Sequence, residues 1–263
     1  MRSGFALALL LLAGTASAQP AEELRLLSEH AVEGMRGGNL SGLAQCGGDL
    51  WTVSDRDDDR LYRLDTHDSI WQAEAVPVDV PPVPDSGLPW GLKSRTWATS
   101  VVRGGELDYE GISCDRAGNR YIVSEAHAAV LQVAPTGSAQ WLKISPSLVR
   151  EARASGMLLH FNALFEGLAV NPEGNQLWLA AERERRGLRR IKRQQTVWDC
   201  EGSCVLLSEA GTQMQPAQFP NARAVSRDFA DLAWFAGKLF TLERNAYEIC
   251  RRDAESAQVE QCW

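Results

Sequence analysis

Two glutamates stand directly before glycine in near-identical apolar settings, Tyr109-Glu110-Gly111-Ile112-Ser113 and Phe165-Glu166-Gly167-Leu168-Ala169. Related motifs occur twice more, as Leu40-Ser41-Gly42-Leu43-Ala44 and Phe229-Ala230-Asp231-Leu232-Ala233. Each motif leads into a hydrophobic run that ends in an acid: Asp55, Glu125, Glu182 and Glu243 in turn. Tandem repeats bury their apolar faces by stacking on one another, and radial stacking would gather these acids round one axis. Clustered carboxylates repel, so they need raised pKa values or a cation. Calcium suits such a place, because it takes about 6–8 oxygen ligands in flexible geometry. The expected metal ligands are Glu110 and Glu166, with Asp108, Asn162 or Asp231 contributing. Glu110 and Glu166 are also the candidates for acid or base catalysis. Asp55, Glu125, Glu182, Glu243 and Arg183 are expected around a bound ligand. The competing reading is that each acid caps a turn or pairs with a basic neighbour such as Arg120, Arg183 or Arg244.

Other signatures are weak. The chain has no Gly-x-Ser-x-Gly elbow, Walker loop, Gly-x-Gly-x-x-Gly turn or His-Glu-x-x-His helix. Its histidines are scattered, although His127 and His160 lie close enough to the motifs to face the channel mouth. Asp55-Arg56-Asp57-Asp58-Asp59 lacks the glycine and final glutamate of an EF-hand loop and reads as a solvated hairpin turn. Arg183–Arg193 holds six arginines and one lysine. It reads as a charged outer strand that protects a sheet edge, with phosphate binding as the alternative.

The elements that must position these groups are strands. Short runs of Val, Ile, Leu, Trp and Tyr alternate with Gly, Asn, Asp and Pro, and each repeat divides into four strands. Four-stranded units in tandem predict an all-β fold, a β-propeller. The motifs stand about 56–69 residues apart, more than the ~40–50 of a plain blade. This excess favours five blades, with four or six open. Pro81–Glu106 reads as a long loop or a poorly marked extra blade, and Ser147–Leu159 as a short helical insertion. Glu209–Arg227 reads as a loop, and Glu22–Met35 as the source of a strand that closes the ring.

Residues 1–18 form a signal peptide: Arg2, an apolar run from Phe5 to Ala13, then Ala16-Ser17-Ala18 before Gln19. Residues 19–263 then make a single domain, periplasmic or secreted, with no membrane span. All six cysteines lie in that part, and an even count in an exported chain favours disulfides. Sequence alone allows about fifteen connectivities. Alignment of the repeats favours Cys46–Cys114, and local spacing favours Cys200–Cys204 and Cys250–Cys262. A formal net charge of −7 argues against nucleic acid and anionic membrane surfaces as partners.

The chain resembles the family called esterase-like activity of phytase, and more distantly the SdiA-regulated propellers. The matching residues are Leu40-Ser41-Gly42-Leu43 with Ser54-Asp55, and Asp108-Tyr109-Glu110-Gly111-Ile112 with Ser124-Glu125. They continue in Asn162 to Ala169, Pro172-Glu173-Gly174 and Glu182, then Asp228-Phe229-Ala230-Asp231-Leu232 with Leu242-Glu243-Arg244. The resemblance runs over about residues 38–250. It departs from the pattern at Ser41 and Ala230, where the two middle motifs carry glutamate. The resemblance implies a propeller that hydrolyses phosphate or carboxylate esters. The expected function is therefore a calcium-assisted exported hydrolase of a small anionic ester, with Arg56, Arg95, Lys143 or Arg183 holding the anionic group. The alternative is a non-catalytic propeller that binds a ligand or protein around a structural axial cation.

Overall fold

Short apolar runs separated by turn residues fold each repeat into a largely antiparallel sheet. The computed structural model describes residues 23–263, so the expected leader at residues 1–18 lies outside the described residues. Blade 1 contains β1 (Ala31–Glu33), β2 (Leu43–Cys46), β3 (Asp49–Thr52), β4 (Arg60–Asp65) and β5 (Ile70–Pro77), in the order β1-β5-β4-β3-β2. After helix α1 (Trp90–Arg103), blade 2 follows as β6 (Tyr109–Cys114), β7 (Arg120–Ser124), β8 (Ala129–Val133) and β9 (Ala139–Trp141).

Helix α2 (Ser147–Ala154) leads to blade 3, made of β10 (Phe165–Val170), β11 (Gln176–Ala181) and β12 (Arg185–Gln194). Its outer place is shared by β13 (Val197–Asp199) and β14 (Val205–Ala210), which both pair with β12. A hairpin of β15 (Thr212–Met214) and β16 (Ala224–Ser226) precedes blade 4. Blade 4 is β17 (Asp231–Phe235), β18 (Lys238–Glu243), β19 (Glu248–Asp253) and β20 (Val259–Cys262).

The propeller thus has four blades among the described residues, where the motif spacing favoured five. The excess length goes into α1, α2, the doubled outer edge of blade 3 and the β15–β16 hairpin. Pro81–Glu106 is therefore neither a structureless loop nor a blade, because residues 90–103 are helical. The helix at Ser147 forms as expected, burying Leu148, Val149 and Ala152. The N-terminal strand does form, but β1 pairs parallel to β5 on the outer edge of blade 1. It widens that blade and does not close the ring.

The inner strands β2, β6, β10 and β17 begin at the four repeated motifs. All six residues of β10 are buried, as a strand packed on both faces requires. The three expected disulfides are present, with Cα separations of 5.8 Å for Cys46–Cys114, 5.1 Å for Cys200–Cys204 and 4.1 Å for Cys250–Cys262. Cys46–Cys114 ties β2 to β6, the inner strands of adjacent blades. Among the described residues no helix is long and apolar enough to cross a membrane.

Candidate functional site

The glycines of the motifs are required by the neighbouring blade. A Cβ on Gly111 would lie 2.8 Å from the Glu166 carbonyl oxygen, and one on Gly167 would lie 2.8 Å from the Asp231 Cα. Blade packs on blade at these points, backbone against backbone, so the residues just before each glycine are drawn to the axis. In β6 and β10 the pairing register shifts between Tyr109 and Gly111 and between Phe165 and Gly167. Glu110 and Glu166 are the bulged residues, and a bulge of this kind re-aims a side chain. In the fourth motif Asp231 takes the glycine's place. Its carboxylate accepts the N–H groups of Leu232 and Leu43, reaching across to blade 1.

Two acid groups result. An oxygen from each of Asp55, Asp108 and Glu110 lies within 4.8 Å of the other two, and the same holds for Glu125, Glu166 and Glu182. The second group is wholly buried. Burial lifts the Glu166 carboxyl to about 10, helped by the charges of Glu125, Glu182 and Glu110. Burial also lifts Glu125 to about 8, although the Leu164 N–H donates to it at 2.9 Å. Glu182 is raised by burial too, against Arg183 and Arg244, which donate to its Oε1 at 2.6 and 3.0 Å. Its side chain hydrogen-bonds Glu166, yet no N–H reaches its buried Oε2.

Glu243 occupies the equivalent strand end of blade 4 and has a different environment. Arg186 donates to its Oε2 and Arg252 to its Oε1, each at 2.6 Å. Burial alone would raise this carboxyl, but the two guanidinium groups outweigh it and hold Glu243 below the ordinary range. The structure therefore gathers Glu110, Glu166, Asp108, Asp55, Glu125 and Glu182 at the axis and sets Glu243 in an ion-pair clamp.

Asp108, besides its carboxylate, and Asn162 serve the site through their backbone. Both are left-handed, with φ of 52° and 55°, a conformation that Asp and Asn tolerate better than most residues. The Asp108 carbonyl accepts the Glu125 N–H at 2.9 Å, and the Asn162 carbonyl accepts a 2.6 Å bond from Arg183. Arg56 follows Asp55 as Arg183 follows Glu182 and Arg244 follows Glu243. Arg95 lies on α1 and Lys143 just beyond the outermost strand β9, away from the axis. Arg120 stacks over the Trp51 ring at 3.8 Å and pairs with no axial acid.

Three expectations change. His127 lies beside Lys93 and Trp97 of α1 instead of at the channel mouth. Asp57 in the supposed solvated turn is buried, taking bonds from Tyr62 at 2.5 Å and Arg36 at 2.8 Å. Arg186 and Arg189 are fully buried, so Arg183–Arg193 is no simple charged edge. Arg186 and Arg252 escaped the sequence reading, whereas Arg183 and Arg244, expected as pairing partners, do pair with Glu182. The dipeptide of acid then arginine at Asp55, Glu182 and Glu243 marks Arg56, Arg183 and Arg244 and gives no sign of Arg186 or Arg252.

Four blades round an acid-lined axis define a propeller. The profile of the family described as Phytase-like, esterase-like activity of phytase, matches residues 36–254, and the chain belongs to that family. No curated protein matches the chain. Among solved structures it is similar to a streptogramin B lyase, at 13% identity and TM-score 0.41, covering 86% of this chain and 54% of that one. It is also similar to the nidogen/laminin complex, at 11% identity and TM-score 0.42, covering 85% and 79%. A putative 6-phosphogluconolactonase from Bacteroides uniformis matches at 11% identity and TM-score 0.38, covering 89% and 58%. The chain spans about half the length of the lyase.

Proposed function

We propose that the protein is an exported propeller that holds calcium among its axial carboxyl groups and hydrolyses a small phosphate or other ester there. The observation that carries this reading is the buried Glu182 Oε2, which receives no N–H while Glu125 and Glu166 stand beside it. Only a proton held by Glu166 or a cation satisfies that oxygen, since unpaired buried acceptors are costly. The donor set is all oxygen, which suits a hard cation. Glu166 would hold the ion with Glu182 and Glu125 beside it, and Glu110 and Asp108 would reach it from the neighbouring acid group, with Asn162 or Asp231 completing the set. When bound, calcium would polarise the ester oxygen and lower the pKa of a coordinated water. Glu110, half-buried and lining the cleft beside the axis, is placed to take a proton from that water. Arg183, Arg244 and Arg56 would hold an anionic group.

The second reading is a non-catalytic periplasmic propeller that binds a ligand or protein around a structural cation. It is favoured by the depth of Glu125 and Glu182, only 3% and 1% exposed.

Calorimetry with calcium chloride and a panel of phosphate and acyl esters, with and without chelator, separates the two. Calcium binding that falls at least tenfold in Glu166→Gln, with hydrolysis lost on chelation, supports the first reading. Binding without hydrolysis supports the second. Hydrolysis that survives chelation rejects the metal-assisted mechanism. Sequencing of the exported protein is expected to begin at Gln19.

A further inference from the structure

Away from the axis, one buried charge has too few partners. Arg189 of β12 is 0% exposed, and its contacts all fall on one nitrogen. Its Nη2 donates to the Leu148 carbonyl at 3.2 Å and to Glu151 Oε2 at 3.4 Å, and lies 4.0 Å from Cys200 Sγ. Its Nε and Nη1 are buried and find no acceptor among the described residues. A guanidinium stripped of water needs both a counter-charge and acceptors for its N–H groups. Arg186, on the same strand, has them: Glu209 at 2.8 Å, the Asp228 carbonyl at 3.0 Å and Glu243 at 2.6 Å. Arg189 has one long contact to Glu151, whose side chain is 33% exposed. Burial accordingly pulls Arg189 down to about 10, against the opposing pull of Glu151.

Beside this undercompensated cation lies a disulfide. Cys200–Cys204 closes a short loop between β13 and β14, at the outer edge of blade 3. Cys204 is buried, Cys200 is half-buried, and Glu201, Gly202 and Ser203 between them are exposed. An outside thiol therefore meets the pair at Cys200. The other two bridges are set differently. Cys46–Cys114 ties two blades over a separation of 68 residues, and Cys250–Cys262 joins directly paired positions of β19 and β20. Neither has a guanidinium donating to its sulfur among the described residues. Loop-closure stabilisation grows with loop length, so the short Cys200–Cys204 link holds the fold least. As a disulfide, Cys200 offers Arg189 no charge; as a thiolate it would offer a full one. A cation beside a cysteine favours the thiolate, and stabilising the reduced form makes a disulfide easier to reduce.

We propose that Cys200–Cys204 is a thiol–disulfide exchange site that accepts two electrons from a dithiol, with Arg189 holding Cys200 as the thiolate. One thiolate of the dithiol attacks the Cys200 sulfur, and the electron pair of the broken S–S bond leaves on Cys204. Cys204 takes the proton of the dithiol's second thiol. That second sulfur, now a thiolate, attacks its partner in the mixed disulfide and expels the Cys200 thiolate beside Arg189. The dithiol ends as a disulfide, and the protein ends with one thiol and one thiolate. Two carboxylates face the same place. Glu151 lies within 4.8 Å of both sulfurs and opposes the thiolate. Asp199 is already engaged, accepting the Cys200 N–H and the Ser147 hydroxyl, each at 2.8 Å.

Equilibration of the full mature chain with reduced and oxidised dithiothreitol at neutral pH tests this, with alkylation and peptide mass spectrometry reading each bridge separately. Cys200–Cys204 is expected to show an equilibrium constant for reduction at least tenfold above that of Cys250–Cys262. Glu151→Gln, at a partly exposed position, removes the opposing charge and is expected to raise the constant at least threefold. Arg189→Met is expected to lower it tenfold, about 30 mV. If Glu151 served only to hold Arg189 in place, its loss would leave the constant unchanged or lower it, and that result would overturn the proposal. A Cys200–Cys204 bridge no easier to reduce than the other two would overturn it as well. The Glu151 variant keeps the test decisive even where the core substitution Arg189→Met does not fold.

Discussion

Glu182 and Glu243 end equivalent strands of adjacent blades, and their surroundings give them opposite chemistry. Glu243 lies between Arg186 of β12 and Arg252 of β19, both at 2.6 Å. Arg186 is held further by its stack on the Phe229 ring at 4.3 Å. Glu182 has two arginines on one oxygen and none on the other, with Glu125 and Glu166 close by. The repeat sets where an acid lies; the arginines brought by neighbouring strands decide whether it is a structural ion or a group free to bind. Pairing accounts for blade 4. It does not account for the cluster between blades 2 and 3.

The largest effect is expected from breaking the clamp. Arg186→Met leaves the buried Glu243 with Arg252 as its one guanidinium, beside weaker bonds from Thr241 and Gln213, and removing one member of a buried ion pair costs about 3–5 kcal/mol. Urea denaturation at neutral pH measures it. A cost below about 1 kcal/mol would dissolve the contrast between the two acids, because it would mean that Glu243 is satisfied without Arg186.

A smaller effect is expected where the backbone packs most tightly. Gly167→Ala places a methyl 2.8 Å from the Asp231 Cα, and overpacking of this kind costs about 1–3 kcal/mol. It should also push β17 away from β10 and loosen the site's hold on any cation. Gly91→Ala on α1, where a Cβ meets nothing within 4 Å, is the control and should stabilise slightly. Equal melting temperatures for the two variants would show that the junction yields without cost.

The strands of all four blades were legible, because alternation and turn residues act locally. The disulfides were legible because the repeat places Cys46 beside Cys114 across one junction. Helix α1 was hidden by an inverted pattern. Trp90, Trp97 and Val101 face solvent, while Leu92 is the helix's one fully buried apolar side chain. The helix also lacks a side-chain cap and acids in its first turn. The axial acids could be nominated from their recurrence, but which of them are neutralised could not. Arg186 stands 57 residues before Glu243, and that pairing exists only once blade 3 lies against blade 4. The exposure of Leu43 was equally hidden, since it reads in the sequence like the buried Ile112, Leu168 and Leu232.

The finest test of the contrast is its pH dependence, since the two environments shift their carboxyls in opposite directions. Glu166 ionises near 4.5 when unfolded and near 10 in the native state. Between those values the native protein binds more protons than the unfolded chain, so this group's stabilisation is complete below 4.5 and is lost as pH rises. Glu243 is shifted down, so its stabilisation is present above the unfolded value and is lost as pH falls through the folded one. In calcium-free buffer the wild type should therefore lose stability from pH 6 to pH 7, by up to about 1.4 kcal/mol for Glu166. Glu166→Gln removes that titration and should show a shallower slope over the same interval, with its acid limb unchanged because Glu243 is intact. Calcium should flatten the wild-type slope, because binding displaces the proton and stabilises the state that holds the ion. Identical slopes for wild type and variant would place the proton elsewhere in the cluster and leave Glu166 an ordinary ionised carboxylate. The two strand-end environments would then differ in geometry alone.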